Sequence, residues 1–374
     1  MRIFAVTYTY NDAALASALL SDMLRWPVRP AAVLVVDDGS DPAYAFPPKL
    51  LAAYGKAAPQ ILRLAPNQGP ARAKRAGINA AAASDAEVIL SLDADIRPHP
   101  AWLRAALPYL ADPGIGLVGA EFTHGLGGDS LSRYLRTFFT PKPADEAVTF
   151  LRAGLWLLRR DIWLDMDGFD SFDQPTHEDL YFCRKLNAAG LRLQAVNSKP
   201  ASQIRRLHRH AYMRRELAYL GFAIHKVAQR RGLENALQPL AGQASMRLAR
   251  ILAQNEAEFL YLEIFKYAAL LAWLQKNSTA PPLTAAVEKL LNRCLSALTP
   301  YPNTAALLYE DLAAIDLRQA HLPCASACPP PSPLPGPEKL HSLLLKLEFH
   351  GAKKLAEEQR AVLFDSHYLS SASI

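Results

Sequence analysis

The run Ala32-Val33-Leu34-Val35-Val36-Asp37-Asp38-Gly39-Ser40 decides the fold class, because an apolar segment leads directly into two carboxylates and a turn. A segment that is apolar throughout is typical of a strand covered on both faces, as in a parallel sheet. A second such segment, Val88-Ile89-Leu90-Ser91-Leu92, leads into Asp93-Ala94-Asp95. Helical patterns separate the apolar segments, as crossover connections require. These features predict an α/β domain with a mixed, mostly parallel sheet.

The alternation of strands and helices extends over about the first 210 residues. Strands are predicted at 3–9, 32–36, 60–64 and 88–92, and helices at 13–23, 48–54 and 71–83. Ligands of open α/β sheets bind beyond the carboxyl ends of the strands. The acidic residues that follow the second and fourth predicted strands are therefore the first candidates for a functional site.

After about residue 211 the strand patterns give way to long helical ones. Helices are predicted at 211–232, 236–277, 283–298, 302–320 and 338–364. We therefore predict four parts: an α/β domain at 1–210, an all-α domain at 211–323 for acceptor binding or oligomerisation, a proline-rich linker at 324–337, and a C-terminal helix and tail at 338–374. A homodimer formed through the helical domain is a further expectation.

The composition and charge of the chain limit the kinds of binding partner and the cellular compartment that we expect. The chain has 374 residues with 41 Lys and Arg against 35 Asp and Glu, and an excess of six positive charges is thin for a nucleic-acid-binding protein. Four cysteines without metal-type spacing favour a reducing compartment. The longest apolar stretch is far shorter than the roughly 20 residues of a membrane-spanning helix. We expect a cytoplasmic protein that binds no nucleic acid.

The first acidic cluster, Asp37 and Asp38, admits two interpretations. A carboxylate at this point can accept a hydrogen bond from a nucleobase N–H or a ribose hydroxyl. Alternatively, both residues cap the turn at Gly39, a common role of aspartate in loops. The cluster alone does not decide between them.

The second acidic cluster, Asp93 and Asp95, suits a divalent cation. Side chains two residues apart in an extended segment point the same way, so both carboxylates face one spot beyond the sheet. Hard oxygen ligands favour Mg²⁺ or Mn²⁺, which usually complete their coordination with substrate phosphates. A nucleotide diphosphate is implied. The alternative is a pair of solvated loop aspartates.

The order of these blocks resembles the nucleotide-sugar glycosyltransferases of the GT-A fold, specifically the family-two type. The matching blocks are Thr9-Tyr10-Asn11, Val35-Val36-Asp37-Asp38-Gly39-Ser40, Asn67 to Gly77, and Ser91-Leu92-Asp93-Ala94-Asp95. Lys74-Arg75 stands where the family usually has Arg-Asn. The resemblance implies that Thr9, Tyr10 and Asp38 hold the nucleobase, that Lys74 and Asp93 contact the nucleotide and its ribose, and that Asp95 binds the metal.

The resemblance continues through Gly168-Phe169-Asp170 and then Glu178-Asp179, which opens a helix stopped at Gly190. It implies that Asp179 is the catalytic base, because an attacking acceptor must lose a proton. Glu178 would position the acceptor or raise its neighbour's pKa. The plain alternative is that both are first-turn carboxylates favoured by the helix dipole.

Downstream of the acidic pair lies a basic segment that begins at Arg205. Relatives often place a histidine there as a metal or phosphate contact, and His208 is the preferred candidate over His210. The alternative is simply a basic run leading into a helix. The basic residues up to Arg231 are first interpreted as a solvated helix face and second as a contact with the anionic inner face of a membrane.

Together these observations predict a metal-dependent, inverting glycosyltransferase that uses Mn²⁺ or Mg²⁺ and one nucleotide sugar, a UDP-sugar by preference. The acceptor would be a saccharide, a lipid-linked intermediate or a polypeptide. Two alternatives stay open. One is a nucleotidyltransferase acting on sugar phosphates, although Thr7-Tyr8-Thr9-Tyr10-Asn11-Asp12 replaces the glycine-rich loop expected there. The other is a catalytically inactive scaffold of the same fold.

Overall fold

A computed structural model describes residues 1–124, 130–139, 141, 143–170, 172, 177–205, 212, 259 and 263. The chain forms two compact units, the first made of Met1–Gly127 and Leu135–Arg206, the second of Gly128–Tyr134 and Leu207–Ile374. In the second unit the Tyr134 hydroxyl donates to Glu263 Oε1 at 2.6 Å, and its ring packs edge-on against Phe259. The described residues include only three positions of the predicted helical domain. They do not include the linker, the last helix or His208.

The described strands and helices follow the predicted alternation. The strands are β1 Ile3–Thr9, β2 Ala32–Asp38, β3 Gln60–Leu64, β4 Val88–Asp93, β5 Ile96–Pro98, β6 Ile115–Gly119, β7 Phe122–Thr123, β8 Glu146–Val148, β9 Leu155–Arg159, β10 Arg192–Ala195 and β11 Ala201–Gln203. The α-helices are α1 Ala13–Met23, α2 Pro48–Tyr54, α3 Pro70–Ala82, α4 Trp102–Ala106, α5 Ser130–Phe139, α6 Arg160–Asp165 and α7 Glu178–Ala188. Two short 3₁₀-helices lie at Gly55–Ala57 and Leu107–Ala111.

The main sheet has eight strands in the order β3-β2-β1-β4-β9-β6-β10-β8. The pairs β3-β2, β2-β1, β1-β4 and β6-β10 are parallel. Strand β9 runs antiparallel between β4 and β6, and β8 is antiparallel to β10 at the edge. The mixed, mostly parallel sheet predicted from the sequence is confirmed. A second sheet of three short strands has the order β5-β11-β7.

Alternate residues of the central strands supply two separate cores. Ala5 of β1 packs with Leu19 and Leu20 of α1 on one face of the sheet, whereas Val6 packs with α3 on the other. Gly77 lets α3 come close, because a β-carbon there would lie 2.5 Å from Val6 Cγ1 and 2.7 Å from Val36 Cγ2. Helix α3 is therefore held firmly over β1 and β2.

An aromatic cluster fixes the elements before α7. The rings of Trp156, Trp163, Phe169 and Phe182 contact one another with centroids 4.9 to 6.2 Å apart. Gly168 adopts φ 40° and lies against the Trp163 ring, so a side chain there would be both strained and blocked. The Gly-Phe pair of the sequence motif thus packs the chain beneath α7.

Within the part of the chain that the structure describes, no helix is long and apolar enough to cross a bilayer.

Candidate active site

Several of the predicted functional residues lie at the carboxyl ends of three neighbouring strands. Strand β1 pairs with β2 on one side, where Thr9 lies opposite Asp37, and with β4 on the other, where Tyr8 lies opposite Asp93. Because the three strands are parallel, their carboxyl ends share one edge. This arrangement brings both acidic clusters to the same edge of the sheet.

Asp38 holds the turn that leads into α3. Its buried carboxylate accepts hydrogen bonds from the backbone N–H groups of Gln68 at 2.8 Å and Gly69 at 2.9 Å. The side-chain amide of Asn67 donates to Asp38 Oδ2 at 3.0 Å and to its carbonyl oxygen at 2.9 Å. The structure therefore describes a loop-holding role for Asp38, and its predicted contact with the nucleobase stays a prediction.

Asp37 organises the loop on the opposite face of the sheet. Its carboxylate accepts from the backbone N–H groups of Ser40 and Tyr44, both at 3.0 Å, and pairs with Arg63. Burial raises the pKa of Asp37, but these hydrogen bonds and the guanidinium outweigh it and hold the pKa below its usual value. The turn-capping interpretation therefore applies to Asp37.

The tip of β1 presents an aromatic ring to solvent. Tyr10 is 50% exposed, whereas Thr9 is buried and its Oγ1 has no hydrogen-bond partner among the described residues. Asn11 turns the chain with φ 55°, and its N–H donates to Ser40 Oγ at 2.9 Å. The exposed ring beside the acidic edge suits stacking against a planar base, the role predicted for Tyr10.

Lys74 joins the second acidic cluster to α7. Its Nζ lies 3.2 Å from Asp93 Oδ1 and 3.1 Å from Glu178 Oε1, and the side chains of Lys74 and Glu178 are both 8% exposed. Desolvation lowers the pKa of Lys74, but the charges of Asp93 and Glu178 outweigh it and raise the pKa above its usual value. Lys74 is therefore a buried cation between two carboxylates, and its predicted contact with the nucleotide stays a prediction.

The carboxylates around Lys74 carry perturbed pKa values. Desolvation raises the pKa of Asp93 to about 6 despite the opposing charge of Lys74. Desolvation, followed by the neighbouring Glu178 charge, also raises the pKa of Asp179. Asp179 is the second residue of α7, and its Oδ1 accepts from the N–H of Leu180 at 2.7 Å. Such shifts are common where carboxylates act as acids or bases.

Asp95 has hydrogen-bond partners that the sequence did not identify. Its Oδ2 accepts hydrogen bonds from Gln203 Nε2 at 3.0 Å and from Arg205 Nε at 2.9 Å. Arg205 also pairs with Asp12, at the start of α1. The interpretation of Arg205 as part of a basic run leading into a helix was incomplete, because its guanidinium ties Asp95 to Asp12.

The chemistry of Asp93 and Asp95 suits a divalent metal ion. Asp93 and Asp95 offer hard oxygen ligands. Gln203 and Arg205 both donate hydrogen bonds to Oδ2 of Asp95, so Oδ1 takes no part in these contacts. Over the described ranges, no group of three or more His, Cys, Asp or Glu side chains could enclose a metal ion. The donor set therefore fits a divalent cation that takes most of its ligands from substrate and water. Asp95 and Asp93 would hold it, and the predicted ligand His208 lies outside the described residues.

Comparison with known proteins identifies the class of this domain. Residues 5–164 match the family described as glycosyl transferase family 2. The predicted resemblance to family-two glycosyltransferases is confirmed. The curated glycosyltransferase AglE of Haloferax volcanii is 28% identical over 196 residues, which cover 49% of this chain and 60% of AglE.

Two solved structures are also similar. The mannosyltransferase PcManGT of Pyrobaculum calidifontis, in complex with GDP-Man and Mn²⁺, is 19% identical with a TM-score of 0.47, covering 83% of this chain and 84% of its own. Residues 1–349 of TarS from S. aureus, in complex with UDP-GlcNAc, are 14% identical with a TM-score of 0.46, covering 96% of this chain and 92% of that one.

Proposed function

We propose that this chain is a metal-dependent, inverting glycosyltransferase that transfers one sugar from a nucleotide-diphosphate sugar, preferentially a UDP-sugar, to an acceptor. The acceptor is a saccharide, a lipid-linked intermediate or a polypeptide. The match of residues 5–164 to the glycosyl transferase family 2 model supports the reaction class.

The proposal rests on the bridge at Lys74, which is the contact of its ammonium group with both Asp93 and Glu178. Asp93 follows the fourth strand and Glu178 begins α7, and both lie within 3.2 Å of the same ammonium group. Asp93, the proposed ribose contact, and the acidic pair that begins α7 therefore lie close together. A glycosyltransferase needs this proximity, because the anomeric carbon of the donor must lie next to the base that activates the acceptor.

On the donor side, the exposed ring of Tyr10 would stack on the nucleobase and Asp93 would accept a hydrogen bond from the ribose. Thr9 Oγ1, buried and without a hydrogen-bond partner among the described residues, is available to a polar group of the nucleotide. Asp38 contributes by holding the 67–69 turn in place. When bound, Mn²⁺ or Mg²⁺ neutralises charge on the departing diphosphate, and Asp95 with Asp93 would hold it.

On the acceptor side, Asp179 would act as general base. Desolvation raises its pKa, which makes the carboxylate a stronger proton acceptor than an ordinary aspartate. Asp179 would take the proton of the acceptor group, whose freed electron pair forms the new bond to the anomeric carbon as the bond to the diphosphate breaks. Glu178, tied to Lys74, would keep the start of α7 in place. A single displacement of this kind inverts the anomeric centre.

A donor panel tests the proposal. UDP-sugars and GDP-sugars are incubated with the full chain, with Mn²⁺ or with a chelator, and release of the nucleoside diphosphate is measured. We expect one donor to be turned over only with the cation, and much less by Asp179→Asn. Asp165→Asn, an exposed aspartate at the end of α6, is the matched control and should behave as wild type. Equal release with and without the cation would contradict the proposal.

A further inference from the structure

A line of polar side chains leads from Arg152 to Asp95 through His124 and Gln203. The Arg152 guanidinium contacts His124 Nε2, and His124 Nδ1 lies 2.5 Å from Gln203 Oε1. The amide nitrogen of Gln203 then donates to Asp95 Oδ2 at 3.0 Å. Asp95 and Gln203 are 108 positions apart in the chain, and His124 and Gln203 are 79 apart.

Both ends of this line impose the same hydrogen-bond direction. An arginine side chain can only donate, so Nε2 of His124 must accept and its proton must sit on Nδ1. The Asp95 carboxylate, paired with Arg205, can only accept, so the amide nitrogen of Gln203 must face it. The amide oxygen of Gln203 is then left to accept from His124 Nδ1–H. Rotating the Gln203 amide would set oxygen against oxygen at Asp95.

The small sheet holds these side chains in place. Strand β11 pairs with β7, where Ser202 lies opposite Thr123, and with β5, where Gln203 lies opposite Ile96. The His124 ring packs edge-on against Phe122 with centroids 5.1 Å apart, and His124 is 8% exposed. The Arg152 guanidinium lies 5.5 Å from the centre of the same Phe122 ring. Each member of the line therefore has little freedom to reorient.

We propose that His124 is a positioning residue for the cation site: through Gln203 it fixes the Asp95 carboxylate with Oδ2 engaged, so that Oδ1 would be left for a cation. The proposal rests on the proposed function, because it takes Asp95 as a cation ligand. In this proposal His124 acts on the cation site only through Gln203. Partners of this kind orient metal ligands, and their loss typically lowers metal affinity by about 10–100-fold.

The test measures Mn²⁺ binding to the full chain in the presence of UDP, and separately of GDP, by electron paramagnetic resonance. His124→Phe keeps a ring against Phe122 but removes both nitrogens, and we expect Mn²⁺ to bind about 10–100-fold more weakly. His124→Asn retains an amide donor near the position of Nδ1 and should recover most of the affinity. Gln203→Leu should weaken binding as His124→Phe does, and the double variant should add little.

A second readout is independent of the metal. Spectra of ¹⁵N-histidine-labelled protein, with His124 assigned from the signal missing in His124→Asn, should show a proton on Nδ1 and a bare Nε2. The opposite tautomer, or wild-type Mn²⁺ affinity in His124→Phe, would overturn the proposal. If the wild-type protein binds no Mn²⁺ with either nucleotide, the proposed function is wrong, and the positioning role of His124 is wrong as well. The spectra are a separate result, because they show whether His124 donates to Gln203 whether or not a metal binds.

Discussion

Lys74 Nζ lies 3.1 Å from Glu178 Oε1, although the two residues are 104 positions apart in the chain. Helix α3 supplies the cation and the first residue of α7 supplies the carboxylate. Both side chains are 8% exposed, so the buried charge of Glu178 depends on Lys74 for compensation. This contact therefore links α3, the helix that follows the turn held by Asp38, to α7, the helix that carries the proposed base.

Removing this cation should cost stability. Lys74→Met leaves Glu178 buried without its partner, and losses of about 3–5 kcal/mol in the free energy of unfolding are typical of broken buried pairs. Lys74→Arg keeps the charge and should lose less. Arg72→Met, at an exposed position of the same helix, should change it by less than about 0.5 kcal/mol. Denaturant unfolding followed by tryptophan fluorescence measures all three, and a Lys74→Met variant as stable as Arg72→Met would contradict the bridge.

The pH dependence of transfer should follow the charges around Asp179. The base must be ionised, and desolvation and Glu178 raise its pKa above the ordinary 3.8, so kcat/KM should fall as pH drops through that raised value. Lys74 lowers this pKa, so Lys74→Met should move the acid limb to higher pH. Glu178→Gln removes a charge that raises it and should move the limb the other way. Profiles that shift in the same direction in both variants would exclude Asp179 as the titrating base.

Close packing of α3 predicts a steric effect at Gly77. The β-carbon of Gly77→Ala would meet Val6 and Val36 at 2.5 and 2.7 Å, so the helix must move away from the sheet. We expect a loss of about 1–3 kcal/mol in the free energy of unfolding, as in other overpacked cores. Thermal and denaturant unfolding of Gly77→Ala can be compared with Arg72→Ala, which should be near neutral. An unchanged melting temperature would mean that α3 is less tightly held than described.

Asp95 should govern binding of the cation. Asp95→Asn keeps the shape of the side chain but removes the charge that would attract Mn²⁺ and that pairs with Arg205. Titration calorimetry with UDP should show that Mn²⁺ no longer strengthens nucleotide binding in this variant, while binding without metal is little changed. Asp165→Asn is the control. Cation-dependent binding as tight as in wild type would remove Asp95 from the site.

Much of the main sheet could be predicted from the sequence because its strands are apolar throughout and its helices have regular patterns. The predicted strand at 32–36 is observed as Ala32–Asp38, and that at 88–92 as Val88–Asp93. The extra residues are the acidic ones, which join the strand through backbone pairing that hydrophobicity does not report. The helix predicted at 71–83 is Pro70–Ala82.

The small sheet and the partners of Asp95 could not be predicted. Strands β5, β7 and β11 have two or three residues each, and their pairing is set by tertiary contacts and not by local pattern. Gln203 and Arg205 have no motif around them, and they meet Asp95 only because β11 pairs with β5. The sequence motifs predicted the acidic residues at this edge of the sheet. They did not predict Gln203 and Arg205, which contact Asp95.

The most direct test of the central claim separates donor binding from transfer in Asp179→Asn. The substitution keeps the shape of the side chain but removes its basicity, so transfer with the donor identified by the panel should fall by about 10²–10⁴-fold. Calorimetric affinity for that donor with Mn²⁺ should stay within about two-fold of wild type, since the proposed donor contacts do not lie on α7. A variant that transfers sugar at a near-normal rate would show that Asp179 is not the base and would contradict the account.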